Sequence, residues 1–181
     1  MTSNEYFLLK QCHREFLSPI LEVGSLHSSN VVNPRKLFDD EYEYFGVDIQ
    51  EGKGVDLVHD MEKPLTKEAF NTVICCSVLE HTKRPWIIAE NIEKALCTGG
   101  YLFVSAPHSW RYHRYPEDYW RFSHSAFEIL FPNIEWKFIK YAGMKRKAIF
   151  DTYLELSNTF KQKMIRGTTA TAMVIGLGVK K

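Results

Sequence analysis

No apolar run in the 181-residue sequence approaches the roughly 20 residues that a membrane-spanning helix needs. Met1 to Lys10 mix polar and apolar side chains and lack the apolar stretch of a secretory signal. The expectation is a chain neither exported nor anchored, hence cytoplasmic. Charge of one sign is also missing: 23 Lys and Arg stand against 22 Asp and Glu, for a net +1. That balance offers no broad basic surface, so neither nucleic acid nor a membrane is expected as a partner. Cysteine is scarce, and Cys12, Cys75, Cys76 and Cys97 form no C-x-x-C pair. They are expected to be buried thiols in a reducing compartment. Repeats, low-complexity tracts and linker-like stretches are absent, so a single domain is expected. So are H-E-x-x-H and G-x-G-x-x-G, which argues against a closed metal site and a dinucleotide fingerprint.

What is present is a regular alternation. Asn4 to Phe16 place Phe7, Leu9, Cys12, His13 and Phe16 at near-helical spacing, and Ser18-Pro19 stops that helix. Ile20 to Gly24 reads as a buried strand, Pro34 to Phe38 as a short helix and Tyr44 to Ile49 as a second strand. Gly52 and Gly54 mark a turn before a third strand over Val55 to His59. Asn71 to Val78 is almost continuously apolar, the mark of a strand buried on both faces of a parallel sheet. Thr82 and Pro85 open a helix carrying Ile88, Ile92, Ala95 and Leu96, and Gly99-Gly100 ends it. Tyr101 to Ala106 is a fifth strand stopped by Pro107, and Ser123 caps a helix over Ala126 to Leu130. Ile134 to Tyr141 alternates like a strand, Met144 to Met164 is expected to be helical in part, and Ala172 to Val179 closes the chain as a strand. The fold class expected is α/β: a Rossmann-like doubly wound, mostly parallel sheet with helices on both faces and an antiparallel C-terminal strand. Within it, residues 1–17 form an N-terminal helix, 18–131 the cofactor-binding core and 132–181 the C-terminal strands and helix.

In such sheets ligands sit beyond the carboxyl ends of the strands at the topological switch point. Gly24 ends the first strand, where a missing Cβ lets a ligand approach. Asp48 lies near the end of the second, where a carboxylate can accept both hydroxyls of a ribose. Asp60 follows the third, within reach of an adenine amino group. Each is weak alone; three in order on successive strand ends make an adenosine-type site.

These segments resemble known motifs. Ile20 to Ser25 resembles the first motif of class I S-adenosylmethionine-dependent methyltransferases, and Tyr44 to Ile49 their ribose-binding strand. Phe70 to His81 is similar to the FDxVxxxxVLEH run of the type-11 methyltransferase group, and Leu96 to Leu102 to its LkPGGxl turn. Tyr115 to Phe122 resembles a YPxDYWRF signature of a subset of that group. The resemblance spans about residues 18 to 131. It implies S-adenosylmethionine as cofactor, with Glu22, Gly24 and Ser25 bordering its methionine portion. It implies Asp48 and Ile49 at the ribose and adenine, Asp60 and the Met61 backbone at the adenine edge, and Ser77 beneath the methionine or sulfonium end. It also implies His81 near the mouth where the methyl group is presented. One departure is visible: Leu26 and Ser28 occupy places where the usual first motif carries glycine.

The loop from His108 to His124 mixes aromatics with arginine and histidine. It reads as a packed loop through Trp120, Arg121 and Phe122, or as an acceptor-binding surface through His108, His113, Tyr115, Tyr119 and Arg121. A third reading, single-stranded nucleic acid, lacks a wider basic surface. His81 and His113 are the candidate catalytic residues, because an imidazole near neutral pKa suits proton removal from an oxygen acceptor. His27, His59 and His124 read as ordinary polar histidines. The activity expected is methyl transfer to a small-molecule acceptor, a sugar or glycan intermediate by resemblance alone. The rival is a non-catalytic Rossmann-like binding or partner subunit, suggested by Leu26 and Ser28.

Overall fold

Residues 70–76 bury side chains on both faces, and that decides where they go. The computed structural model describes residues 1–27, 32–38, 41–145, 148–154 and 171–181. In chain order its strands are β1 (Ile20–Val23), β2 (Tyr44–Asp48), β3 (Leu57–Val58), β4 (Phe70–Cys76), β5 (Leu96–Ser109), β6 (Ile134–Lys145), β7 (Ala148–Leu154) and β8 (Thr171–Lys180). Among the described residues they form one sheet, ordered β3-β2-β1-β4-β5-β8-β6-β7. β3, β2, β1, β4 and β5 run parallel. β8 is antiparallel to both β5 and β6, and β7 to β6.

Two hydrophobic layers follow from the strand period of two. Val73 and Cys75 of β4, with Leu102, Val104 and Ala106 of β5, face α2 (Pro85–Ala95) and α3 (His124–Leu130). Ile74, Phe103 and Ile175 face α1 (Ser3–Cys12) and Phe16. The doubly wound α/β architecture with an antiparallel C-terminal strand is therefore present, with helices on both faces. α1 begins in a capping box: Thr2 accepts from the Glu5 backbone N–H while the Glu5 side chain accepts from the Thr2 backbone N–H.

Several boundaries differ from the sequence expectation. α1 stops at Cys12 and a 3₁₀ turn, His13–Glu15, completes the segment. The third strand shrinks to Leu57–Val58, both exposed, because it is the edge of the sheet and pairs only with β2. Arg84, not Thr82, precedes α2, with no side-chain cap. Thr82 instead donates to Glu62 Oε1 at 2.9 Å. α2 ends at Ala95, before Gly99-Gly100, and the glycine pair lies inside an irregular start of β5. Gly99 has φ +79°, open to glycine at no steric cost. Pro107 does not stop β5. The strand continues to Ser109 because its pairing there is with β8, while its pairing with β4 ends at Ser105. A missing N–H on that free side costs no ladder bond, and the Pro107 carbonyl accepts from Phe122 N at 2.8 Å. Finally, residues 148–154 are strand rather than helix. The remainder of the helix expected up to Met164 lies outside the described residues.

Candidate cofactor and acceptor site

The parallel register brings three strand ends level. Val23 pairs with Val47 of β2 and with Cys75 of β4, so Gly24, Asp48 and Ser77 emerge side by side. Chain order reverses here, since β1 lies between β2 and β4. A cavity of about 800 Å³ opens over this edge, ample for a small nucleoside-sized ligand. Gly24, with φ +76°, needs the left-handed conformation, and a Cβ on it would collide with Val78 Cγ2. Ser77 is also left-handed, at φ +55°. Its hydroxyl donates to Glu5 Oε1 at 3.0 Å, as does that of Ser105, so buried Glu5 ties α1 to the ends of β4 and β5.

Asp48 faces the cavity, and its carboxylate accepts from the Leu26 and Gln50 backbone N–H groups, each at 3.1 Å. The loop after β1 is thus held by the same carboxylate that lines the cavity. Leu26 also lines the wall, and a Cβ at Gly52 would strike its Cδ1. The absent Cβ of Gly52 in the β2–β3 turn therefore leaves the space that the Leu26 side chain occupies. Ser28 lies outside the described residues. Glu22 is buried, takes a 2.9 Å hydrogen bond from the Tyr44 hydroxyl, and reaches the cavity. Burial pushes its carboxyl up to about 7. Ile49, Asp60, Met61 and Ser77 line the same space. Asp60 Oδ1 accepts from Glu62 N at 2.9 Å, and the Met61 carbonyl accepts from Asn91 Nδ2 at 2.9 Å.

His81, His113, Tyr115 and Tyr119 line the same cavity. The imidazoles of His81 and His113 meet edge to face, with centroids 4.9 Å apart. His81 Nδ1 lies 2.6 Å from the Glu117 carbonyl, which can only accept, so the proton sits on Nδ1 and the Nε2 lone pair is left available. His113 Nδ1 stands 3.1 Å from Asp118 Oδ2 and 3.3 Å from the Arg111 carbonyl, with the same consequence. Burial holds the His81 imidazole below its ordinary value. Glu80, fully buried beside them, is pushed up to about 8 by burial.

Three expected contacts are not brought to the cavity wall. Ser25 is fully buried behind it, against Gly46. His108 turns to the Phe122 carbonyl and stacks near Tyr141. Arg121 grips Asp118 with two nitrogens and also donates to the Trp110 carbonyl at 3.2 Å. The Arg121 guanidinium in turn holds the Asp118 carboxyl well below the usual carboxylate range. The packed-loop reading describes Arg121 and Phe122, the latter buried in the core. The sequence reading missed Glu5, Glu80 and Tyr44. Glu5 had a legible signal, the Thr2-x-x-Glu5 capping box; Glu80 and Tyr44 had none, because their roles depend on burial beside residues distant in sequence.

Comparison with known proteins agrees with this geometry. A family model described as a methyltransferase domain, Methyltransf_11, matches residues 21–104. No curated protein matches the sequence. Among solved structures, an N1-methyltransferase of Burkholderia thailandensis, determined with 1,6-didemethyltoxoflavin and S-adenosylhomocysteine, superposes with a TM-score of 0.67 at 12% identity, over 99% of this chain and 77% of that one. An N-methyltransferase of Bradyrhizobium japonicum, bound to S-adenosylhomocysteine, gives 0.61 at 12%, over 98% and 85%. A methyltransferase of Archaeoglobus fulgidus gives 0.61 at 15%, over 97% and 94%. At these identities the likeness establishes the fold. Over residues 21–104 the chain is thus similar to the methyltransferase domain of the type-11 group.

Proposed function

We propose that this chain transfers a methyl group from S-adenosylmethionine to a small-molecule acceptor, a sugar or glycan intermediate being the preferred class. The observation that carries the reading is the Asp48 carboxylate at the wall of an 800 Å³ cavity, on the strand end next to Gly24. The residues fit the cofactor. Asp48 has lone pairs left for ribose hydroxyls beyond its two backbone bonds. Ile49 and Met61 supply apolar flanks for an adenine, with Asp60 at its edge. Glu22, Gly24 and Ser77 border the space left for the methionine portion. The cofactor supplies an electrophilic sulfonium methyl; the chain aligns it and keeps water away.

The acceptor enters at the other end, where His81 and His113 meet its nucleophilic atom and Tyr115 and Tyr119 flank it. The exposed rings of Tyr115 and Tyr119 at this rim suit stacking on a sugar face. Leu26 at a motif-glycine position favours the rival reading, a binding subunit without activity. The matching gap at Gly52 speaks against it. Thermal denaturation with S-adenosylhomocysteine separates the two. A ligand bound only by the folded state raises Tm by mass action. Wild-type Tm should rise, and Asp48→Asn should weaken the apparent affinity at least tenfold. No shift for the wild type with either S-adenosylmethionine or S-adenosylhomocysteine would leave the subunit reading standing.

A further inference from the structure

The signature segment around Tyr115 to Phe122 spends its hydrogen bonds on one small target. The Glu117 carbonyl takes His81 Nδ1, and Tyr119 N donates to the Glu80 carbonyl at 2.8 Å. Trp120 Nε1 donates to the Thr82 carbonyl at 2.9 Å. Asp118 accepts from the His113 backbone at 2.7 Å and is itself pinned by Arg121. The loop thus clamps Glu80, His81 and Thr82 from one side and sets His113 against them. One possible ligand atom from each of Glu80, His81 and His113 lies within 4.8 Å of the others. His81 Nε2 is 3.7 Å from Glu80 Oε1. Glu80 Oε2 is buried without a hydrogen-bond partner, a costly arrangement for a carboxyl unless something else engages it.

We propose that Glu80, His81 and His113 bind a divalent first-row transition cation, Zn²⁺ by preference, at the acceptor end of the cavity. Two imidazoles and one carboxylate, with a position left open, are the donor set of catalytic zinc sites. Both imidazoles present Nε2 while Nδ1 is tied to a carbonyl or carboxylate, the arrangement that orients metal-bound histidines. Donors of a tetrahedral zinc at about 2.1 Å stand roughly 3.4 Å apart, so a set lying within 4.8 Å must draw in by up to about 1.4 Å. His113, partly exposed on its loop, supplies that movement. No standard metal spacing is legible here, because Glu80 and His81 are adjacent and His113 returns from a separate loop.

His81 and His113 both line the cavity, so a cation held by them would be reachable from it. There the cation would hold an acceptor hydroxyl and lower its pKa, the released proton leaving to solvent at the mouth. His81 and His113 are then ligands rather than the base. This role rests on the proposed acceptor entry; cation binding itself does not. The test uses the intact chain stripped with a chelator, titrated with Co²⁺ by absorption and with Zn²⁺ by calorimetry, with S-adenosylhomocysteine thermal shift measured on the same samples. One ion per chain is expected, with tetrahedral Co²⁺ bands, and affinity at least tenfold lower in His113→Ala and Glu80→Gln. The cofactor shift should persist in both. Glu80 is buried, so His113→Ala, at a partly exposed site, is the variant that decides if Glu80→Gln misfolds. Absence of binding, or equal affinity in wild type and His113→Ala, overturns the metal site. Metal binding without any cofactor shift would overturn the methyltransferase reading and leave this site in place.

Discussion

Glu22 is the residue whose charge state is most exposed to experiment. Its carboxyl is neutral-favoured, raised from an ordinary value near 4.5 to about 7 by burial. The folded state therefore binds the proton more tightly than the unfolded chain. The stabilisation is fully present below about pH 4.5 and is lost as pH rises through about 7. The difference amounts to about 3 kcal/mol at most. Glu22→Gln should remove this slope, so its urea midpoint, compared with wild type at pH 5 and pH 8, should gain on wild type at the higher pH. Equal gains at both pH values would show that burial does not tune Glu22. The same group should respond to the cofactor, whose methionine portion carries an ammonium. If Glu22 borders it, binding draws off the proton, and calorimetry near pH 6 in buffers of different ionisation enthalpy should register proton release. Gly24 is the second residue of this kind: Gly24→Ala should cost at least 1–2 kcal/mol, from positive φ and the clash with Val78, measured by chemical denaturation.

At the scale of elements, the loop that follows β5 behaves as a bracket. Arg121, with its planar fork, engages both oxygens of Asp118. Asp118 in turn carries the His113 backbone. Lysine cannot reproduce a bidentate pair, so Arg121→Lys should lower kcat severalfold while the S-adenosylhomocysteine Tm shift stays within error of wild type. A lost cofactor shift would mean that the loop supports the whole cavity rather than its acceptor end. The β1 loop and the β2–β3 turn make another coupled pair, Leu26 filling the space that Gly52 leaves. A turn at residues 51–54 is legible from Gly52 and Gly54, but this packing is not, because a turn's partner is not written in its own residues.

Across the whole molecule, two apolar layers on one sheet hold the strand ends in register. Phe127 of α3, fully buried among Phe122, Phe131 and Trp136, is a keystone of one layer. Phe127→Ala should cost about 3–5 kcal/mol by equilibrium unfolding. The other layer is closed by α1, whose Glu5 reaches the ends of β4 and β5. Among the described residues no helix is long and apolar enough to cross a membrane.

Local pattern was enough for the elements with a strong period. The apolar run read as Asn71 to Val78 and found as strand over Phe70–Cys76, the strand pair ending at Gly24 and Asp48, and the helical face of Ile88, Ile92 and Ala95 were legible because burial on a strand or helix repeats at two or 3.6 residues. The order Gly24, Asp48, Asp60 was legible for the same reason, since each lies at or just past a strand that pattern locates, and all three line one cavity. Tertiary structure alone decided that Arg121 and His108 brace the loop instead of lining the cavity, and that Glu80 meets His113. Those contacts join residues as far as 33 positions apart across turns without period, and their energies come from burial and fixed hydrogen-bond geometry, which exist only once the chain has closed on itself.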